Sequence, residues 1–307
     1  MPPGEFDIIG RYFSAFGRGP GVVLGVGDDA AVLSVPTGCE LVTSVDTVVA
    51  GVHFPPDTFP EDIGFRSVAV AASDLAAMGA RPLAMTLALT LPEADELWLH
   101  AFSEGIGQAS SAFRLPLVGG DTTRGPSVIS VQVFGLVDQG QAIQRGGACP
   151  GDGVYVSGTL GDAAAALDVL RGQWQPGAAH GEYLLQRYYR PTPRLALGQT
   201  LHGVASAAID ISDGLLQDLG HIAAASGAAI EVNADDLPLS AALRSHPDHE
   251  QQRRWALSGG DDYELCITVP DNVVAPAGFT RIGVVCEGRG VTSDGVPAQG
   301  QSGYAHF

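Results

Sequence analysis

Short valine-rich apolar segments alternate with longer alanine-rich ones along this chain, and that alternation leaves few folds open. "GVVLGV" (21–26), "AAVLSV" (30–35), "ELVTSV" (40–45), "LAMTLALTL" (83–91) and "SVISVQVFGLV" (127–137) have the length and β-branched content of strands. Between them "PEDIGFRSVAVAASDLAAMGA" (60–80) reads as a buried helix, closed by Gly79 at a C-cap with Pro82 just beyond. "EADELWLHAFSEGIGQASSAF" (93–113) reads as a more amphipathic helix. The polar, glycine-rich stretch 138–153, "DQGQAIQRGGACPGDG", is the best domain junction. Beyond it follow a strand at 154–158, a helix at 161–172, helices around 181–190 and 194–203, and a helix starting near Asp213. Strands at 228–233, 264–270 and 280–285 complete the second half. The expected fold class is mixed α/β (α+β), in two domains, a division that 307 residues support.

Four stretches break the apolar pattern in the same way: "VGDDAAV" (26–32), "TSVDTVV" (43–49), "VGGDTTRGP" (118–126) and "AIDISDGL" (208–215). Asp29 lies between two strands, Asp46 ends "LVTSVD", Asp121 ends "PLVGGD", Asp210 ends "AAID" and Asp213 opens the next helix. Strand ends are where open α/β architectures gather ligands. Asp74 differs, since "VAVAASDLAAMGA" is apolar around almost the whole turn, and a buried carboxylate there needs a partner or a metal. Any single aspartate could be a cap or turn residue, and Asp28 is read as holding its loop. Six carboxylates with hydroxyls and carbonyls, and no Cys/His cluster, suit a hard cation, Mg²⁺ above all. No segment has the spacing of an EF-hand loop.

Composition narrows the chemistry. The net charge of −18 argues against nucleic acid and anionic membranes as partners. All 16 basic residues are arginine, which excludes every mechanism built on a lysine, whether a Walker A phosphate lysine or a Schiff base. If phosphates are handled, metal ions and arginines must neutralise them. Cys39, Cys149, Cys266 and Cys286 are scattered, without a CxxC pair, which suggests a reducing cytoplasm. No signal peptide or bilayer-length apolar run is read. "VYVSGTLGDAAAAL" (154–167) could in principle bind phosphate at a helix N-terminus, but it lacks the GK[ST] ending and its glycines are read as packing residues.

Seven motifs in order, "GVGDDAAV", "TSVDTVVAGVHF", "SDLAAMGARP", "LVGGDTTRGP", "SGTLGDAA", "AIDISDGLLQDLGHI" and "LSGGDDYEL", resemble the thiamine-monophosphate kinase family of the aminoimidazole-ribonucleotide-synthetase-like superfamily. The resemblance runs from about Gly4 to the C-terminal "GYAHF". It implies ATP-dependent phosphorylation of thiamine monophosphate to thiamine diphosphate. It further implies an N-terminal domain (1–138) that binds metal and nucleotide and dimerises through its sheet, and a C-terminal domain (139–307) completing the active site. Carried over by position, Asp29, Ser44, Val45 (by its backbone carbonyl), Asp46, Asp74, Asp121, Asp210 and Asp213 would bind several Mg²⁺ ions. Asp121, Asp46 and Asp213 would be the catalytic carboxylates. Gly120, Asp121, Arg145 and Ser212 would meet ATP, and His53, Asp261 and Tyr304 would line the thiamine phosphate pocket.

Two positions depart from the family pattern. The motif GGEDYEL is here "GGDDYEL", which makes Asp261 one methylene shorter, and the usual threonine after Ser44 is Val45. Two alternatives stay open: an amidine-forming cyclo-ligase of the same superfamily, and a non-catalytic Mg²⁺–nucleotide-binding protein. Selenophosphate synthesis is disfavoured, because the N-terminal loop has no cysteine for a nucleophile.

Overall fold

The computed structural model describes residues 4–298 and residue 303. The chain forms two compact units, one made of the described residues up to Leu75 with Ala80–Gln141, the other of Ala76–Gly79 with the described residues from Ala142 onward.

The first unit begins with the helical turn α1 (Glu5–Ile8) and a two-stranded ribbon, β1 (Val22–Leu24) with β2 (Val32–Leu33). Its main sheet comprises β3 (Cys39–Val49), β4 (Arg81–Leu91), β5 (Leu117–Arg124) and β6 (Val128–Asp138), in the order β3-β6-β4-β5. β4 and β5 run parallel, as their connection through α3 (Glu96–Phe113) requires, and the other pairs are antiparallel. β3 is paired with β6 through eleven residues, from Cys39↔Asp138 to Val49↔Val128.

Helix α2 (Pro60–Ala77) is buried along nearly its whole length, Val68, Ala69, Ala71, Ala72 and Leu75 among its core residues. It ends as expected: Gly79 takes φ +69°, its N–H donates to Ala76 carbonyl, and Ala80 N–H donates to Leu75 carbonyl. That is the hydrogen-bond pattern of a glycine-terminated helix. Asp95 caps α3, accepting from the amides of Leu97 and Trp98.

The second unit holds a seven-stranded sheet. In chain order it contains β7 (Gly153–Ser157), α4 (Asp162–Leu170), α5 (Ala178–Tyr189), α6 (Leu195–Gly198) and β8 (Ala207–Asp210). There follow α7 (Leu215–Ser226), β9 (Ala229–Val232), α8 (Ala241–Arg244), α9 (His249–Ser258), β10 (Leu265–Val269), β11 (Phe279–Cys286), β12 (Gly290–Ser293) and β13 (Val296–Pro297). The strand order is β13-β12-β9-β11-β7-β10-β8, and only β12 with β9 is parallel. The core of this unit packs Leu215, Leu219 and Ile222 of α7 with Val154, Val156, Ile209, Ile230 and Ile282 of the sheet.

Two sequence expectations are corrected. Asp46 and Asp121 do not end their strands: β3 continues to Val49 and β5 to Arg124. Asp46 is the Cα partner of Val131, and Asp121 of Ala88. Ladder pairing with β6 and β4 outweighs the poor strand propensity of aspartate. The strand read over 30–35 shortens to Val32–Leu33. The four cysteines are free, and among the described residues no helix is long and apolar enough to cross a membrane.

Candidate active site

Each unit carries its own set of candidate groups. In the first, Asp29, Gly120 and Asp121 line one cleft of about 660 Å³ together with Phe6, Asp28 and Gly119. Asp28 holds the loop as expected, its Oδ1 accepting the N–H of Asp29 at 2.8 Å. Gly120 has φ +153°, and a Cβ there would fall on the carbonyl of Leu87 in the neighbouring strand, so only glycine lets β5 approach β4 this closely. The glycines of "VGGDTTRGP" therefore bring bare backbone to the cleft wall beside Asp121.

A second cluster sits between β3 and α2. Strand alternation puts Ser44 and Asp46 on one face of β3. Asp74 is half-buried rather than fully buried as the apolar helix suggested, and Ser44 Oγ donates to its Oδ2 at 2.5 Å. Burial, and secondarily the charge of Asp74, push the Asp46 carboxyl up to about 6. Two neighbouring carboxylates, one of them hydrogen-bonded to a serine hydroxyl, are oxygen donors of the kind a hard divalent cation takes. Val45 points to the opposite face and is 61% exposed. Only its backbone is available for the role the resemblance assigns it.

His53 is held in the turn after β3. Its Nδ1 accepts the N–H of Val49 at 3.1 Å, which makes Nε2 the protonated nitrogen of the neutral ring.

In the second unit Asp210 is buried at the end of β8, where it is the Cα partner of Leu265. The turn beyond it is built on Asp218, whose Oδ2 accepts from the amides of Ser212, Asp213 and Gly214 at 3.0–3.1 Å. Burial and then the charge of Asp213 push the Asp218 carboxyl up to about 7, against the pull of those three amides. Asp213 Oδ2 accepts from Gln217 Nε2 at 2.9 Å. Asp213, Asp218 and His221 place one ligand atom each within 4.8 Å of one another, a grouping able to hold a metal ion. Asp218 and His221 were not singled out from the sequence. Their signal was the spacing "DGLLQDLGH", which turns Asp218 back onto the amides of its own helix start and puts His221 on the next turn.

Ser212 and Asp261 are joined directly, Asp261 N–H donating to Ser212 carbonyl at 2.8 Å. Arg145 is exposed, in a segment whose Gln144 carbonyl accepts from Ala208 at the start of β8. Tyr304 lies outside the described residues. The structure thus brings together Asp29 with Gly120 and Asp121, Ser44 with Asp46 and Asp74, and Ser212 with Asp213 and Asp261. His53 and Arg145 stand outside these groups.

Comparison with known proteins gives this arrangement its family. Residues 27–137 match the AIR synthase related protein N-terminal domain, and residues 149–292 the corresponding C-terminal domain. The chain is 48% identical to the thiamine-monophosphate kinase of Salmonella typhimurium over 322 aligned positions, covering 100% of this chain and 99% of that protein. Its fold matches the crystal structure of thiamine-monophosphate kinase from Stenotrophomonas maltophilia K279a with a TM-score of 0.86 at 47% identity, covering 91% and 93% of the two chains. It also matches AaThiL complexed with AMPPCP and TMP, with a TM-score of 0.83 at 34% identity and 89% of each chain covered. With its two domain matches and near-full-length similarity to these proteins, the chain belongs to the thiamine-monophosphate kinase family.

Proposed function

We propose that this protein transfers the γ-phosphoryl group of ATP to the phosphate of thiamine monophosphate, forming thiamine diphosphate and ADP. The observation that carries this reading is the near-full-length 48% identity to a thiamine-monophosphate kinase, and the carboxylate-and-hydroxyl cluster of Ser44, Asp46 and Asp74 supports it. An oxygen of the acceptor phosphate attacks the γ-phosphorus as the bond to the β,γ-bridging oxygen breaks, and ADP leaves with that electron pair. The acceptor, with a second pKa of about 6, is already largely dianionic at neutral pH, so no general base is required.

The difficulty is electrostatic: two polyanions must meet. Asp29, Ser44, the Val45 carbonyl, Asp46, Asp74 and Asp121 of the first unit, with Asp210 and Asp213 of the second, are the groups assigned to Mg²⁺. Bound there, Mg²⁺ ions supply the charge neutralisation that phosphoryl transfer needs. Asp121 and Asp46 of the first unit and Asp213 of the second are the residues assigned as catalytic carboxylates, which would hold that charge. Gly120 lets backbone approach the nucleotide, and Ser212 and Arg145 contact its phosphates, with arginine serving where this chain has no lysine. His53, Asp261 and Tyr304 are assigned to thiamine monophosphate; an aromatic face suits its flat cationic ring.

The test is a product assay with ATP, Mg²⁺ and either thiamine monophosphate, free thiamine or an aminoimidazole-pathway substrate. Thiamine diphosphate is expected from the monophosphate alone, with ADP released only in its presence. ADP release with another substrate instead would replace this reading by the cyclo-ligase one. Nucleotide binding without turnover on any substrate would leave only a binding protein.

A homodimer in a reducing cytoplasm belongs to the same reading. β3 is an edge strand eleven residues long, and on the face that carries Val45 it also exposes Leu41, 47% accessible. Long apolar edge strands left open invite pairing with other chains. The wild-type chain is expected to sediment at twice its chain mass, and Leu41→Arg to shift it to the monomer. A monomeric wild type would remove the dimer from the proposal.

A further inference from the structure

The turn Gly259–Glu264, which carries Asp261, is held more firmly than its exposure requires. Asp261 and Tyr263 both adopt left-handed backbone, with φ +67° and +51°. Non-glycine residues rarely take that conformation, and two in one turn persist only where the surroundings over-determine it.

Three sets of contacts do so. The backbone is fastened to the preceding strand's extension: Asp261 N–H donates to Ser212 carbonyl, Tyr263 N–H to Ile211 carbonyl, and Ile211 N–H to Glu264 carbonyl, each at 2.8 Å. From within, fully buried Glu264 receives Arg187 Nη2 at 2.9 Å, Arg194 Nε at 2.6 Å and Ser157 Oγ at 2.5 Å. The same Arg187 Nη2 also donates to the carbonyl of Asp262 at 3.3 Å, so one guanidinium ties a side chain and the backbone of the turn together. Asp262, itself buried, accepts Gly161 N–H at 2.8 Å. Finally, Tyr263 Oη donates to Asp261 Oδ1 at 2.9 Å. Of the four side chains from Asp261 to Glu264, those of Asp262, Tyr263 and Glu264 are buried, and only Asp261 reaches the surface.

We propose that Tyr263 is a positioning residue for substrate binding, its hydroxyl fixing the rotamer of Asp261, and that Arg187 fixes the backbone of the same turn from inside. This rests on the assignment of Asp261 to thiamine monophosphate made above. A tyrosine hydroxyl on a carboxylate is a charge-assisted hydrogen bond, and it holds the acceptor in its binding geometry before the ligand arrives. The strain at Asp261 and Tyr263 is then part of the preorganisation: the left-handed backbone lets the tyrosine reach back two residues to the carboxylate.

The test compares wild type, Tyr263→Phe, Asp261→Ala, the double variant and Arg187→Lys in steady-state kinetics, with a thermal melt for each. Tyr263→Phe should raise KM for thiamine monophosphate by about tenfold, with KM for ATP changed less than about twofold. Asp261→Ala should raise the same KM, and the double variant should add nothing further, because the tyrosine acts only through Asp261. Arg187→Lys keeps the charge but cannot span Glu264 and the Asp262 carbonyl, so it should reproduce the selective KM effect rather than rescue it. Additive effects of the two single substitutions, or equal increases in both KM values, would overturn the proposal. If wild type forms no thiamine diphosphate, the kinase reading falls on its own. The positioning is then read by amide hydrogen exchange: faster exchange in Tyr263→Phe confined to residues 259–264 supports it, and unchanged exchange there overturns it.

Discussion

Asp46→Asn is expected to lower thiamine diphosphate formation by about three orders of magnitude, roughly 4 kcal/mol of transition-state stabilisation, while leaving the metal-free protein as stable as wild type or more so. The two effects have opposite signs because they have one cause. Asp46 is held on the inner face of β3 near Asp74, and burial with that neighbouring charge lifts its carboxyl to about 6 from 3.8. A carboxyl whose pKa is raised by folding favours the folded state in its protonated form. The penalty for ionising it is absent below about pH 4, grows as pH rises from about 4 to about 6, and is fully present above that. At pH 7.5 without Mg²⁺ the wild type carries this penalty, up to about 3 kcal/mol, and the isosteric Asn does not. Melts at pH 7.5 in EDTA should show the variant's advantage, and melts at pH 4 should abolish it. Adding Mg²⁺ should raise the wild-type melting temperature more than the variant's, because a ligand stabilises only the state that binds it. A variant that loses activity and stability together in EDTA would mean that Asp46 is a structural residue and not part of a cation site.

What the sequence disclosed divides along the range of the interactions involved. The long strands β3, β4 and β6 and the buried helix α2 were legible because their signals are local: β-branched runs, an apolar helix and a glycine at its end. The extents of β3 and β5 were not, because aspartate interrupts the apolar pattern while the ladder partners that carry the strands onward are far away in the chain, Ala88 for Asp121 and Val131 for Asp46. Helix α9 has little apolar signature because "HEQQRRWALS" is polar on most of its surface, burying only Gln252, Trp255, Ala256 and Leu257. Its one clear marker was Asp248, which caps it by accepting from Glu250 and Gln251 amides. Among the candidate groups, the individual aspartates stood out as charged residues in apolar or glycine-rich company. Their groupings did not: that Ser44 satisfies Asp74, or that Asp218 organises the turn bearing Asp213, depends on contacts the residue pattern alone does not specify. Least legible was the clamp behind Asp261. Glu264 reads as one more strand residue in "DDYELCITV", and the arginines that pair with it come from positions 70 and 77 residues earlier.

That clamp carries the largest expected stability effect. Glu264→Ala should destabilise the protein by about 3–5 kcal/mol, the range found when one partner of a buried ion pair is removed. Glu264 is fully buried, and its two oxygens take donors from Arg187, from Nε and Nη2 of Arg194 and from Ser157. Removing it takes the carboxylate from two guanidinium groups, Arg194, which is 29% exposed, and Arg187, which is 13% exposed and keeps Asp162 3.7 Å away. For a unit of this size the loss corresponds to a fall of about 10 °C in melting temperature. Glu264→Gln, which keeps shape and one acceptor oxygen but loses the charge, should cost less. Both substitutions remove the charge and only Ala removes the volume, so a Gln cost that is most of the Ala cost marks an unpaired-charge effect, and a Gln cost near zero marks a cavity effect. An intact buried pair is not in itself a net source of stability, since well-packed apolar side chains in its place often do as well. What Glu264 adds is placement: it binds Arg187 where that side chain can also hold the carbonyl of Asp262, and so fixes a turn whose left-handed residues would otherwise relax. A Glu264→Ala variant that melts within about 1 kcal/mol of wild type would show that the arginines find other partners, and the turn would then need another explanation for its strain.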